Sequence, residues 1–334
     1  MNSFDLLRPK TLDAAVALAC ADNPPTIKAG GIDLLDRMKE GIHRPEKLLD
    51  ILGFDGLRHI VETKENKVDV GALVTLAELG SSRLIRERAT VLAEAAQSAA
   101  TPQIRAQATV GGNLYQQKRC WYYRSNDFEP CLSRGGKECF AKEGRNKIHA
   151  VFDTDQPCVA VDPSSLAPAL VALDAQVVHV MASEKKGERT VTSTRSVAEL
   201  LVKGRNALES SEKGILTSVT FTADASRRSA YREFGERESF DWALASAAVA
   251  FGWKDGVCSD PRVVLGAVSL RVRRCKAAEK MLDGQKLTPE LARKVAEKAV
   301  EGAMPLAENG YKVPIARTLV ARALLAAAGM EEKK

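Results

Sequence analysis

The sequence predicts an α+β fold made of three successive units, and three observations support this class. Short helices and strands alternate in the first 55 residues, a longer middle stretch adds hairpins and further helices, and the chain ends with several strands followed by three helices. Strands and helices segregated in this last way are typical of an α+β unit. With 334 residues, the chain is long enough for two or three hydrophobic cores.

The first unit spans 1–55. Thr11 precedes apolar residues at helical spacing and is predicted to cap a helix that reaches about Ala21. The stretch TIKAGG indicates a short strand that ends in two glycines. A helix is predicted for DLLDRMKEG, from Asp33 to just before Gly41, and a second strand for EKLLDI.

The second unit spans 56–224 and contains an insert at 116–158. A hairpin is predicted for LRHIVETKENKVDVGAL, and helices for TLAELGSS and ATVLAEAAQSAA. We interpret IRAQATVGGNLYQ as strand, turn and strand around a second glycine pair. The stretch CVAVDPSSLAPALVALDAQVVHVMA indicates strand, short helix and strand. A hairpin turning at KKG, the helix SVAELLV and the strand GILTSVTFT complete the unit.

The third unit spans 229–330 and follows a polar linker, ADASRRS. Antiparallel strands are predicted within YREFGERESFDWALASAAVAFGWKDG and PRVVLGAVSLRVRRC. Three helices are predicted for KAAEKML, PELARKVAEKAV and YKVPIARTLVARALLAAAG.

Composition and charge exclude several classes of protein. The net charge of +6 is mild for this length and gives no strong case for nucleic-acid binding. Asp5 interrupts the N-terminal apolar stretch, so we expect no signal peptide, and no run of 18 apolar residues predicts a membrane span. We therefore expect a cytoplasmic protein with reduced thiols, or a periplasmic one if a partner carries a twin-arginine signal.

Two glycine pairs, in KAGGID and TVGGN, each precede a new element of the fold. Glycine lets a ligand approach the main chain closely, and successive exposed amides of such a turn form a nest for anions. Neither stretch is a dinucleotide G-x-G-x-x-G motif or a P-loop. The glycines alone are compatible with a pyrophosphate site and with ordinary turns.

The insert at 116–158 holds four of the seven cysteines, with the spacing C-x10-C-x7-C-x18-C. No C-x2-C pair is present, so spacing alone leaves three alternatives open: a metal cluster or zinc, disulfides, or unligated thiols. The insert is locally basic, and this charge suits either a solvated surface or an anionic group nearby. His149, its one histidine between the cysteines, is interpreted as a surface or capping residue.

Five stretches in this order resemble the FAD-binding subunits of the xanthine dehydrogenase, or molybdenum hydroxylase, family: TIKAGGIDLLDRMKEG, IRAQATVGGNL, DPSSLAPALVALDAQV, YREFGERESFDWALASAAVAF and NGYKVPIARTLVARAL. The resemblance covers nearly the whole chain. It implies a two-part FAD-binding domain of the PCMH (vanillyl-alcohol-oxidase-like) type followed by a smaller C-terminal α+β domain.

The cysteine insert resembles that of the medium subunit of periplasmic-type aldehyde oxidoreductases and of the β subunit of 4-hydroxybenzoyl-CoA reductase. These relatives imply one [4Fe–4S] cluster on this chain. Its ligands would be the four cysteines of the insert, Cys120, Cys131, Cys139 and Cys158. Iron–sulfur clusters prefer such all-thiolate ligation.

The resemblance also implies which residues contact FAD. The first FAD loop, around the pyrophosphate, corresponds to Thr26, Ile27, Lys28, Ala29, Gly30, Gly31, Ile32, Asp33 and Leu34. The second corresponds to Thr109, Gly111, Gly112 and Asn113. Contacts closer to the flavin ring correspond to Ser164, Ser165, Ile215, Leu216 and Arg232. Ser165 departs from the family's usual Ser-Asp pair, so one acidic contact is missing here.

The implied function is electron transfer within an oxidoreductase complex. A large molybdopterin-binding partner and a small partner with two [2Fe–2S] clusters would complete a heterotrimer or a dimer of heterotrimers, and FAD would pass electrons to an external acceptor. No catalytic acid or base is expected on this chain. The alternatives are a hydroxybenzoyl-CoA-reductase-like subunit with reversed electron flow, a standalone FAD-dependent oxidase or reductase, and a binding module with a zinc-stabilised insert.

Overall fold

The computed structural model describes residues 1–183, 185, 188–201, 213–237 and 241–330. Within this part of the chain the strands form three sheets, of three, five and four strands, one in each predicted unit. The first sheet is parallel and the other two are antiparallel. The predicted α+β class, with a C-terminal antiparallel sheet and helices, is confirmed.

The first sheet has the strand order β1–β3–β2. Its elements are β1 Asp5–Leu7, α1 Leu12–Ala19, β2 Thr26–Lys28, α2 Ile32–Lys39 and β3 Lys47–Asp50. The predicted cap is present, because the Thr11 hydroxyl accepts a hydrogen bond from the amide of Ala14 at 3.2 Å. Strand β2 ends at Lys28, so the chain passes through the first glycine pair directly into α2.

The second sheet has the order β4–β5–β8–β6–β7. Its strands are β4 Ile60–Glu62, β5 Lys67–Gly71, β6 Gln176–Ala182, β7 Thr190–Ser196 and β8 Ile215–Thr222. The predicted hairpins are both present, although residue 184 and residues 186 and 187 of the KKG turn lie outside the described residues. The helices of this unit are α3 Leu76–Ser81, α4 Arg83–Arg88, α5 Thr90–Ser98, α6 Pro102–Gln107, α7 Val110–Tyr115, α8 Trp121–Arg124 in the insert, α9 Leu166–Ala172 and α10 Val197–Leu201.

The strand–turn–strand interpretation of IRAQATVGGNLYQ is wrong, because both halves are helical. Thr101 caps α6, which has Pro102 in its first turn, and Thr109 caps α7 by accepting a hydrogen bond from the amide of Gly112 at 3.1 Å. The glycine pair suggested a turn between strands, yet threonine is a strong N-cap, and Thr109 places the pair in the first turn of a helix. The strand predicted at the start of CVAVDPSS is also absent from the structure.

The third unit has a sheet of order β12–β11–β10–β9 covered by three helices. Its elements are β9 Arg227–Phe234, β10 Ala245–Lys254, β11 Val257–Gly266, β12 Arg273–Arg274, α11 Lys276–Leu282, α12 Pro289–Ala299 and α13 Lys312–Ala327. Strand β9 begins within the predicted linker. Residues 238–240 of the predicted β9–β10 stretch lie outside the described residues.

The insert is mostly irregular, with one short helix, α8 Trp121–Arg124, and a 3-10 turn at Leu132–Arg134. It has a small core of its own, in which Tyr122, Tyr123 and Ala141 pack with the cysteines. Its end is fixed to the third unit, because Asn146 and Glu308 exchange two hydrogen bonds of 2.9 Å. The insert therefore docks against the rest of the fold instead of projecting from it.

Candidate functional site

The main cavity, of about 350 Å³, lies where the first unit, the second unit and the β9–β10 loop meet. It is bounded by the loop between β2 and α2, by the start of α7, and by the first residues of β8. The predicted FAD-contacting residues that line it are Thr26, Ile27, Ala29, Gly30, Gly31, Ile32, Asp33, Leu34, Thr109, Gly111, Gly112, Asn113, Ser165, Ile215 and Leu216. Segments that lie far apart in the chain, at 26–34, 109–113 and 215–216, thus converge on one space.

The first loop offers free backbone amides to this cavity. Gly31 adopts a left-handed conformation (φ 79°) and begins α2 without a side-chain cap. The amides of Gly30, Gly31 and Ile32 have no acceptor among the residues that the structure describes. Because the N-terminus of a helix is electropositive, this loop has the chemistry of an anion site.

Gly30 is required by close packing of the two loops. A Cβ atom added there would lie 2.0 Å from the carbonyl oxygen of Gln107, at the end of α6. The same two segments are joined by a hydrogen bond of 3.2 Å from Gln107 Nε2 to the Gly30 carbonyl. The glycine therefore lets the first loop seat directly on the helix that precedes the second loop.

The second glycine pair contributes shape rather than a nest of free amides. The amide of Gly111 donates to Ala72 O at 2.9 Å, and the amide of Gly112 donates to the Thr109 hydroxyl. An added Cβ at Gly112 would meet only that hydroxyl, at 3.0 Å, so the missing side chain leaves room at the cavity wall. The expectation of two anion nests is thus supported by geometry only for the first loop.

Asp33, in the first turn of α2, is surrounded by three arginines. Its carboxylate lies 2.5 Å from Arg124, 3.1 Å from Arg119 and 3.1 Å from Arg37. It also accepts a hydrogen bond of 3.0 Å from the amide of Gln117. Burial alone would raise the pKa of Asp33, but the guanidinium groups outweigh it and hold the pKa below its ordinary value. Asp33 thus joins the first loop to the insert.

Three of the predicted contact residues lie behind the cavity wall. Lys28 pairs with Asp50 at 3.2 Å, and Arg232 pairs with Glu94 of α5 at 3.1 Å. The Ser164 hydroxyl donates to Asn113 Oδ1 at 2.5 Å and so orients a residue that does line the cavity. These three residues support the wall.

Sequence reasoning missed several side chains that line the cavity. Arg37 and Arg119 bring positive charge to it, and the Arg119 guanidinium stacks over the half-exposed ring of Trp242 at 4.5 Å. Tyr115 lines it too, with its hydroxyl 2.7 Å from Nε2 of the buried His179. Only the helical i,i+4 spacing of Arg37 and Asp33 was a usable signal.

The four cysteines of the insert surround a second, much smaller cavity. Cys120, Cys131, Cys139 and Cys158 all line it, together with Lys118 and Ser133. All seven cysteines of the chain are free thiols, so the disulfide alternative finds no support in the structure. Among the described residues, no three His, Cys, Asp or Glu side chains are arranged to hold a metal ion as they stand.

Polar groups contact the sulfur atoms from several sides. Lys118 Nζ lies 3.8 Å from Cys158 Sγ and the Ser133 hydroxyl 3.4 Å from it. A hydrogen bond with Cys139 lowers the pKa of Cys158 and raises that of Cys139, and Lys118 and Ser133 further favour the Cys158 thiolate. Burial raises the pKa of the Cys120 thiol to about 11. The thiols thus occupy distinct electrostatic environments.

Three basic side chains of the insert form ion pairs. Arg119 and Arg124 pair with Asp33, and Lys147 pairs with Glu236. Lys118, which is buried, brings an ammonium group to the sulfur of Cys158. The alternative of a solvated basic surface therefore does not hold for Arg119 and Arg124, whereas Arg145 is exposed.

The two cavities share one short segment of backbone. Gln116 and Arg119 line the main cavity, whereas Lys118 and Cys120 line the cysteine cavity. The segment 116–120 is therefore the wall between them. Two redox groups placed in these cavities would be near neighbours.

No helix within the described ranges is both long and apolar enough to cross a membrane.

Two family comparisons together cover most of the chain. Residues 2–221 match the FAD binding domain in molybdopterin dehydrogenase, and residues 229–327 match the CO dehydrogenase flavoprotein C-terminal domain.

Individual relatives agree over nearly their whole length. The chain is 33% identical to the aldehyde oxidoreductase FAD-binding subunit PaoB of Escherichia coli (strain K12), over 97% of this chain and 98% of that protein. It is 27% identical to the carbon monoxide dehydrogenase medium chain of Hydrogenophaga pseudoflava, over 97% and 96%. A solved structure of carbon monoxide dehydrogenase from H. pseudoflava superposes with a TM-score of 0.74, 25% identity and 99% of each chain covered. The chain therefore belongs to the family of FAD-binding medium subunits of molybdenum-dependent hydroxylases, and it is the flavin subunit of an oxidoreductase.

Proposed function

We propose that this chain is the FAD- and [4Fe–4S]-binding electron-transfer subunit of a molybdenum-dependent aldehyde oxidoreductase or hydroxylase. The observation that carries the proposal is the pair of adjacent cavities, one bounded by the glycine loops and one by four thiols, with the segment 116–120 between them. Similarity to an aldehyde oxidoreductase FAD-binding subunit over 97% of the chain supports the reaction class.

FAD, when bound, supplies the redox chemistry, and this chain holds and tunes it. The free amides at Gly30, Gly31 and Ile32 would hold the pyrophosphate at the start of α2. Arg37 and Arg119 would add positive charge at the same wall. The apolar residues that open β8, Ile215 and Leu216, would face the isoalloxazine ring, with Ser165 and Asn113 nearby on the wall.

The cysteine cavity offers the ligand set of an iron–sulfur cluster. Each iron of a [4Fe–4S] cluster takes one thiolate. Four thiols line this one cavity, which agrees with that requirement. Lys118 and Ser133 would offset negative charge on the sulfur of Cys158.

Substrate oxidation would take place on a partner. A large molybdopterin-binding subunit and a small subunit with two [2Fe–2S] clusters would complete a heterotrimer or a dimer of heterotrimers, and an external acceptor would receive the electrons. This chain then needs no catalytic acid or base for substrate oxidation. Cytoplasmic localisation, or periplasmic localisation by co-export with a partner, stays a prediction.

The test is the cofactor content of the chain purified with its partners. We expect flavin absorbance and about four irons per chain, over and above the iron of the small subunit. In Cys131→Ser the broad iron–sulfur absorbance of this chain should be lost while FAD remains. Cys20→Ser, outside the insert, is the matched control and should keep both.

Three other results would redirect the proposal. Zinc in place of iron would favour a zinc-stabilised insert. Substrate turnover by the isolated chain would favour a standalone oxidase or reductase. Electron flow only from a low-potential donor towards the partner's substrate site would favour a hydroxybenzoyl-CoA-reductase-like subunit.

A further inference from the structure

His149 is buried beside the cysteine cavity, contrary to its interpretation as a surface or capping residue. Its side chain is 1% exposed, and its Nε2 atom lies 3.1 Å from Cys120 Sγ. The ring also packs against Trp121 and Tyr122, with centroid distances of 6.2 and 6.5 Å. The imidazole therefore faces one sulfur atom and is surrounded by aromatic rings on the side of α8.

The backbone of His149 is fixed from the third unit. Its carbonyl oxygen accepts hydrogen bonds from Lys312 Nζ at 2.8 Å and from Asn309 Nδ2 at 3.2 Å. Its amide donates to the carbonyl of Asn146 at 3.0 Å. Lys312 is fully buried and also donates to the Ala267 carbonyl at 2.8 Å. These contacts hold the imidazole in place against Cys120.

The direction of the contact follows from the chemistry of the two groups. A cysteine bound to iron is a thiolate, which can only accept a hydrogen bond, so Nε2 must carry the proton. In a neutral imidazole Nδ1 is then an acceptor, and Nδ1 is buried with no hydrogen-bond partner among the residues that the structure describes. The Cys120 contact is thus the polar interaction that the ring makes in this part of the chain.

We infer that His149 is a positioning residue for the proposed cluster, which donates its Nε2–H to the sulfur of Cys120 and thereby raises the reduction potential of the cluster. Hydrogen bonds to ligating sulfurs stabilise the reduced, more negative state, and second-shell partners also orient the ligand. The inference rests on the proposed function, because it requires iron bound by Cys120.

The test compares reduction potentials in the purified complex. His149→Phe keeps a ring between Trp121 and Tyr122 but removes the donor, whereas His149→Gln keeps an N–H at a similar reach. In His149→Phe we expect the one-electron equilibrium of the cluster to shift about tenfold towards the oxidised state. The reduction potential of the cluster should then be about 59 mV more negative than in wild type. His149→Gln should stay near wild type. His59→Phe, outside the insert, is the matched control and should leave the potential unchanged.

A second measurement uses only the wild-type complex, so it is valid even if the variants lose the cluster. The chain has four histidines, so wild-type complex labelled with 15N-histidine should give, in pulsed EPR of the reduced cluster, a coupling to one histidine nitrogen and to an exchangeable proton. Absence of both couplings would overturn the inference, as would equal potentials in wild type and His149→Phe. Absence of iron in the wild-type chain would instead refute the proposed cluster itself, so the two failures are distinguishable.

Discussion

Gly30→Ala tests whether close seating of the first loop on α6 creates the cavity proposed to bind FAD. The new Cβ would lie 2.0 Å from the Gln107 carbonyl oxygen. Ordinary contact begins at 3.4 Å, so the loop and the end of α6 must separate by about 1.4 Å. The contacting atom is backbone, which cannot rotate away as a flexible side chain would.

Overpacking of this kind typically costs about 1–3 kcal/mol. If the strain falls on the FAD-binding conformation, affinity for FAD should drop by about 5- to 150-fold. If the loop relaxes away from α6 in the free protein as well, part of the cost should appear as lower stability. Both quantities should be measured, by titration of the flavin-free chain with FAD and by urea unfolding.

Gly53→Ala is the matched control. A Cβ added at Gly53 meets no atom within 4 Å. Its backbone lies outside the left-handed region, so the substitution should change stability by less than about 0.5 kcal/mol. The reasoning is refuted if Gly30→Ala binds FAD as tightly as Gly53→Ala and unfolds at the same urea concentration.

The remaining predictions concern buried charges. Asp33→Asn should lower the free energy of unfolding by about 3 kcal/mol, because it removes the buried charge that pairs with Arg124 and its neighbours. The control Asp13→Asn, in the first turn of α1, should change this free energy little. The pKa of Asp33 is lowered in the folded chain, so its carboxylate should stabilise the fold fully above its ordinary pKa of 3.8. This stabilisation should be lost as the pH falls through the pKa of Asp33 in the folded chain. Acid unfolding of wild type and Asp33→Asn would measure the difference. Lys312→Met should lower the free energy of unfolding by about 2–4 kcal/mol, since buried carbonyls lose their donor, and the exposed Lys276→Met should not.

The sequence predicted those parts of the fold whose signals are local. The Thr11 cap, the hairpin at Asn66 and the strands and helices of the third unit each depend on residues close in the chain. The glycine pairs were also visible, although the second begins a helix. There the same threonines satisfy the local pattern for a strand and for an N-cap, and only the contact between Thr109 and Gly112 decides between them.

The electrostatics of the site could not be predicted in this way. Arg124 is 91 residues from the carboxylate that it contacts, so no local pattern links them. The basic insert therefore suggested a counter-charge for an anion, whereas the arginines of segment 116–124 are bound to Asp33. His149 was misinterpreted for the same reason, because the residues that fix its backbone, Asn309 and Lys312, lie far along the chain.

Asp33 gives the two cavities a common anchor. One carboxylate oxygen contacts Arg119 and Arg124, and the other accepts from the amide of Gln117. A single residue of the first loop thus holds two residues of the dividing segment, which continues into Cys120. The negative charge of Asp33 does not repel an anion in the cavity, because Arg37 of α2 and two arginines of the insert neutralise it. The insert thus completes the wall of the main cavity and also forms the cysteine cavity.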